Sequence, residues 1–190
     1  MKRIFYFRFN IKDIVSYFQK FSTVRSLTMQ SNQLFNHVCK NGNLEEAKWF
    51  LDINPDFDIS KTRYYAFRSA CENGNLDVAK WLLQVKPEVG ISVDYDYAFW
   101  HACAFGHLNI VEWLLLEYYN KFNISENDEA AFISACTNGH LEIAQLLLEV
   151  KPSIIDIFDS NNFDAHEVSI KSHSNVLQWL LKINPYIFTN

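Results

Sequence analysis

Apolar residues recur along the chain in two alternating patterns. Phe67, Ala70 and Cys71, and again Phe99, Ala102 and Cys103, fall at i, i+3 and i+4, one face of an α-helix. A denser pattern follows at once. Leu76, Val78, Ala79, Trp81, Leu82, Leu83 and Val85 predict a second helix that is apolar around most of its circumference. Between the two stands Asn73-Gly74, or Phe105-Gly106 in the next unit, where glycine takes the left-handed conformation of a helix C-terminus. Pro87 stops the second helix, because proline has no N–H to continue it. The connector then carries D-F-D-I-S, V-G-I-S-V-D or N-I-S-E-N-D, which suits a short extended finger with a turn.

Rare residues show that this unit repeats. Gly42, Gly74, Gly106 and Gly139 are spaced by 32, 32 and 33 residues, and Cys39, Cys71, Cys103 and Cys136 each stand three residues before one of them. Trp49, Trp81, Trp113 and Trp179 lie seven residues after an origin, and Pro55, Pro87, Pro152 and Pro185 thirteen after, with Ser172 as the fifth origin. Four rare residue types in one register are a repeat. A helix pair of this length cannot bury both apolar faces alone, so the units must stack. The small Ala-Cys pair lets neighbouring first helices approach closely, and the run Trp113-Leu114-Leu115-Leu116 predicts an outer helix buried nearly all round. The fold class is therefore all-α: a helix-turn-helix solenoid with short β-turn fingers.

These residues resemble ankyrin repeats. The core Ala102-Cys103-Ala104-Phe105-Gly106-His107-Leu108-Asn109-Ile110-Val111-Glu112-Trp113-Leu114-Leu115 has a close copy from Ala135 to Leu148. It follows the family's order of a small pair, Gly-His, and a Val/Ile-rich helix ending in Leu-Leu. The likeness covers residues 31–190, about five repeats, with residues 1–30 an N-terminal segment and candidate half-repeat cap. Two features depart from the family. Its Thr-Pro-Leu-His helix start is replaced by Tyr65-Ala66-Phe67-Arg68 or Tyr97-Ala98-Phe99-Trp100, and its later glycine by Lys-Pro or Asn-Pro. Aromatic packing is expected to take over there. The aromatic, Asn-rich style also resembles divergent ankyrin proteins of large DNA viruses of amoebae. The last repeat is eroded, with Ala165, Ser169, Ser172 and Ser174 where Phe, Cys, Gly and Leu stood, as expected of a polar capping repeat.

Composition narrows the function. Of 190 residues 49% are hydrophobic and 21% charged, which supports a sizeable core, and no run reaches the ~18 apolar residues of a membrane span. Four Cys are too few for a disulfide scaffold, so a reducing compartment, cytoplasmic or host-cytoplasmic, is expected. Residues 1–30 hold six Lys/Arg and one Asp, and the rest eleven against twenty-one, net −10, which argues against nucleic acid as a partner. No zinc-ligand spacing, phosphate loop or catalytic triad is found, and His107 and His140 serve as helix-start residues. The chain is expected to be a monomeric non-enzyme without cofactor or metal.

What the resemblance implies is binding of a protein partner on the concave face, made of finger tips and the variable end of the first helix. The matching positions are Lys61, Thr62, Tyr64, Glu72 and Asn73, then Val93, Asp94, Asp96, Ala104 and Phe105, then Glu126, Asn127, Glu129, Thr137 and Asn138. Tyr64 and Phe105 are aromatic where solvent alone favours polar residues. Asp94, Asp96, Glu126 and Glu129 would steer a basic partner segment to this face. The alternative is a substrate adaptor for ubiquitin transfer, for which residues 1–30 are the segment left to recruit a ligase.

Overall fold

Each helix pair is closed at its turn by a residue the repeat places there. The computed structural model describes residues 24–59, 63–85, 92–118, 128–159 and 174–185. Its helices are α1 (Val24–Lys40), α2 (Leu44–Ile53), α3 (Arg63–Glu72), α4 (Leu76–Val85), α5 (Ser92–Ala104), α6 (Leu108–Tyr118), α7 (Asp128–Thr137), α8 (Leu141–Val150) and α9 (Ser174–Ile183), with a 3₁₀ segment at Pro152–Asp159. Among the described residues there is no strand. The inner helices α1, α3, α5 and α7 pack on one another more extensively than the outer helices α2, α4, α6 and α8 do. The stack therefore bends with its inner helices on the inside.

The turn between inner and outer helix is the same in each described repeat. In the second, the Asn75 N–H bonds the Ala70 carbonyl (2.8 Å) and the Gly74 N–H bonds the Cys71 carbonyl (3.3 Å), a Schellman closure with glycine in the left-handed position at φ 78°. Glycine is needed here for a second reason. A Cβ on Gly74 would lie 2.8 Å from His107 Nδ1, and one on Gly106 2.5 Å from His140 Cε1. That close approach has a purpose. The residue after Gly74, Gly106 and Gly139 reaches back and closes the C-terminal carbonyls of the preceding repeat's inner helix, which have no partner within their own helix, whereas Asn43 after Gly42 donates to Glu46 in its own repeat. Asn75 Nδ2 donates to the Cys39 and Lys40 carbonyls (3.1 and 2.6 Å), His107 Nε2 to Glu72 (2.8 Å) and His140 Nε2 to Ala104 (3.1 Å). The two histidines thus tie one repeat to the next, beyond the helix-start role their position predicts.

The core follows from the inner-helix pattern. Phe35, Phe67, Phe99 and Phe132 are buried at one register position, as are Cys39, Cys71, Cys103 and Cys136 at another. The repeat tryptophan wedges between units: the Trp81 ring lies 6.4 Å from Phe35 one repeat earlier, and Trp179 lies 6.2 Å from Phe132. Phe57 of the first finger folds back onto Phe35 and Phe50 (5.2 and 5.0 Å), and its N–H closes a turn on the Asn54 carbonyl at 2.9 Å. The fingers over 86–91 and 119–127 lie outside the described residues, as do the eroded positions Ala165, Ser169 and Ser172.

Three features differ from the sequence reading. Leu116 is 87% exposed, so the outer helix is apolar on three consecutive residues without being buried on all of them. Helix α1, described as Val24–Lys40, runs across the boundary drawn at residue 30. Helix α5 starts at Ser92, so part of the V-G-I-S-V-D stretch is helical rather than finger. Beyond Gly90 no residue of that stretch breaks a helix.

Candidate functional site

The inner helices bury Ala66, Phe67, Ala70 and Cys71, and their counterparts in the other repeats, against the rest of the stack. The side left over faces the inside of the bend. On α5 this side carries Tyr97, His101 and Phe105 at i, i+4 and i+8, a single line along a helix. Phe105 continues that line just past the helix end, its N–H bonding the His101 carbonyl at 2.9 Å. Tyr97 is 40% exposed and Phe105 52%, while Tyr65, in the register position of Tyr97 one repeat earlier, is 58% exposed.

His101 is the centre of this aromatic line. Its ring lies 4.1 Å from Tyr97, 4.5 Å from Trp100 and 5.7 Å from Phe105, the last stacked at 7°. Both ring nitrogens are buried and unpartnered. Burial pushes His101 below its ordinary pKa of 6.5, Arg68 acts in the same direction, and Glu72 opposes them. The Arg68 guanidinium lies over the Tyr97 ring, 3.4 Å from its centroid, and its Nε is buried without a hydrogen-bond partner. Trp100, one repeat on from Arg68, has its indole N–H satisfied across the repeat boundary by Ser134 Oγ at 2.8 Å. Alongside, an open groove of about 290 Å³ is lined by Gln33, Asn36, His37, Lys40 and Tyr65.

Among the residues the sequence singled out, Phe105 and Glu129 are exposed. Asn73 and Asn138 are exposed too, but their amides have a local task, donating to the Ser69 and Ser134 carbonyls (2.8 and 2.9 Å) and so closing the last turns of α3 and α7. Thr137 is turned inward: it is 7% exposed, and its hydroxyl donates to the Ile133 carbonyl at 2.7 Å. Glu72 and Ala104 are half-buried, their carbonyls taken by His107 and His140. Val93, Asp94, Asp96 and Tyr64 fall in the first turns of α5 and α3. Lys61, Thr62, Glu126 and Asn127 lie outside the described residues. The fold thus adds Tyr65, Tyr97, Arg68, Trp100 and His101 to the surface. Their signal was present in the i, i+4, i+8 spacing of Tyr97, His101 and Phe105, which a comparison of fixed repeat positions passes over.

Cys39, Cys71 and Cys136 lie in the core behind this surface. Burial pushes the Cys39 thiol up to about 12 and raises Cys71 and Cys136 as well, so none supplies a thiolate at neutral pH. Among the described residues no group of three His, Cys, Asp or Glu could hold a metal ion, and no helix is long and apolar enough to cross a membrane. No curated protein matches the chain with significance. Residues 99–189 match the family model for ankyrin repeats, in 3 copies, and the fold is an all-α ankyrin-type solenoid.

Proposed function

We propose that the chain is a binding scaffold that holds a partner protein against the inner-helix face of its stack. The observation that carries this reading is the exposure of Tyr65, Tyr97 and Phe105 along that face. Large aromatic side chains left in water on a rigid frame are the usual anchors of protein interfaces. Asp94 and Asp96 near the start of α5, with Glu129 at the start of α7, add negative charge toward the finger end, which favours a basic stretch in the partner.

The reading is tested by capture of the partner from cytosol, identification by mass spectrometry, and repetition with purified variants. Tyr65→Ala combined with Phe105→Ala abolishes capture and leaves the melting midpoint nearly unmoved, because exposed side chains contribute little to folding. Lys48→Ala and Glu112→Ala, on the outer helices, change neither. Capture that survives the double variant and is lost on deletion of residues 1–23 overturns the reading.

A further inference from the structure

Asn41, Asn73, Phe105 and Asn138 each stand just before the glycine of their turn, and the three asparagines use their amides. Asn73 Nδ2 donates to the Ser69 carbonyl and Asn138 Nδ2 to the Ser134 carbonyl (2.8 and 2.9 Å). Each of those carbonyls also takes the backbone N–H of the same asparagine (3.1 and 3.0 Å). Asn41 Nδ2 donates instead to His37 Nε2 at 2.9 Å, because a histidine holds the position four residues back. The third repeat has that histidine too, at 101, but not the asparagine. Among the described residues the His101 carbonyl takes the Phe105 N–H and no side-chain donor, and both ring nitrogens are unpartnered. Asparagine would serve the frame better here, yet an aromatic ring stands in its place, half exposed to water.

The Phe105 ring is stacked on His101 at 7°, which covers one face and leaves the other to solvent. An aromatic face carries partial negative charge and attracts a cation. Phe105 also lies just past the C-terminus of α5, the negative end of its dipole, without the amide that partly offsets that end in α3 and α7. Across the repeat boundary stands Glu72, whose carbonyl is held at 2.8 Å by His107, two residues beyond Phe105. Its counterparts in the other repeats are Lys40, Ala104 and Thr137, and an acid in the last turn of a helix opposes the dipole. Among the described residues Glu72 makes no ion pair; Arg68, one turn before it, is held over the Tyr97 ring instead. Two neighbouring positions thus depart from what the helices prefer, and both departures favour positive charge.

We propose that Phe105 and Glu72 form the seat of one basic side chain of the partner, its cation over the open face of Phe105 and the Glu72 carboxylate as its counter-ion. This rests on the binding reading above and adds to it the chemistry recognised at one place on the face. A lysine or arginine satisfies both groups at once. An apolar side chain would use the ring but cover Glu72 without pairing it, and an acidic one would be repelled by the carboxylate and the ring alike.

A double-mutant cycle on a peptide probe tests this. A phage-displayed library of random dodecapeptides is panned against the full chain, and the strongest binder is made synthetically, with each Lys or Arg replaced in turn by uncharged norleucine. One replacement should weaken binding to the native chain about fivefold, and cost much less against Phe105→Leu or Glu72→Gln. Lys48→Gln, on an outer helix, should change nothing. Phe105→Asn, the residue type of the other three repeats, should lose the same binding yet melt about 2–4 °C above Phe105→Ala, which shows that the loss is not one of folding. Equal midpoints for those two variants would mean that the position has no use for the amide, and the seat would lose its ground. Failure to retain any peptide, retained peptides without a basic residue, or a norleucine cost that ignores both Phe105→Leu and Glu72→Gln overturns the seat. If retained peptides of that kind still fail to bind the Tyr65→Ala, Phe105→Ala variant, the binding reading stands without it; if they bind that variant as tightly as the native chain, both fall.

Discussion

His101 has been placed where an imidazole is least at ease, ringed by Tyr97, Trp100 and Phe105 with neither nitrogen partnered. The same register position holds Ser69 and Ser134 in the flanking repeats, so a small hydroxyl satisfies the frame there. The unfolded chain protonates this residue near 6.5, while burial, with Arg68 adding to it and Glu72 resisting, delays protonation of the folded chain to lower pH. Between those two values the unfolded state binds more protons. Stability is therefore full above the ordinary imidazole value and is lost as pH falls through 6.5 toward the lower folded value. The melting midpoint should fall more steeply below pH 6.5 in the native chain than in His101→Ser, and the imidazole proton resonances of His101 should titrate with a midpoint below 6.5. A midpoint at or above it would mean that Glu72 outweighs burial and that the ring is better solvated than its neighbours imply.

Helices were legible in the sequence because the residues that bound them do one task each. Glycine at positive φ, the Asn or His that crosses to the preceding repeat, the inner-helix Phe and the wedge Trp cannot be exchanged freely, so their spacing survives as a visible period. Periodicity does not say which member of an apolar or aromatic run turns outward. Sequence reasoning picked Tyr64, whose side chain lies outside the described residues, and passed over Tyr65, which is exposed, and it took Leu114, Leu115 and Leu116 as equals. They are not. Leu114 is fully buried and Leu116 almost free. Leu114→Ala should cost about 2–5 kcal/mol in a urea melt, through lost burial and the cavity it leaves. Leu116→Lys should change stability by less than about 0.5 kcal/mol and reduce any tendency to self-associate. Equal losses at the two sites would show that α6 is covered on its outer side in solution.

At the scale of the whole chain, each repeat meets only its neighbours, so stability is a sum of repeat terms and boundary terms in one dimension. The Asn75 amide is one boundary term. It holds the Cys39 and Lys40 carbonyls of α1 from the following repeat. Asn73, two residues earlier, uses the same amide chemistry inside its own helix, on the Ser69 carbonyl. The two asparagines therefore distinguish coupling between repeats from stability within one. Asn75→Ala removes two hydrogen bonds worth about 0.5–1.5 kcal/mol each and leaves the end of α1 to water. In a linear stack that loss falls on the repeat being released. Amide hydrogen exchange should quicken in α1 and α2 while α7 and α8 keep their protection. Asn73→Ala should quicken exchange at the end of α3 alone. A uniform loss of protection from α1 to α8 in Asn75→Ala would show instead that the repeats open together. The inner-helix face would then be one cooperative unit, in which no repeat can be released while the others hold their geometry.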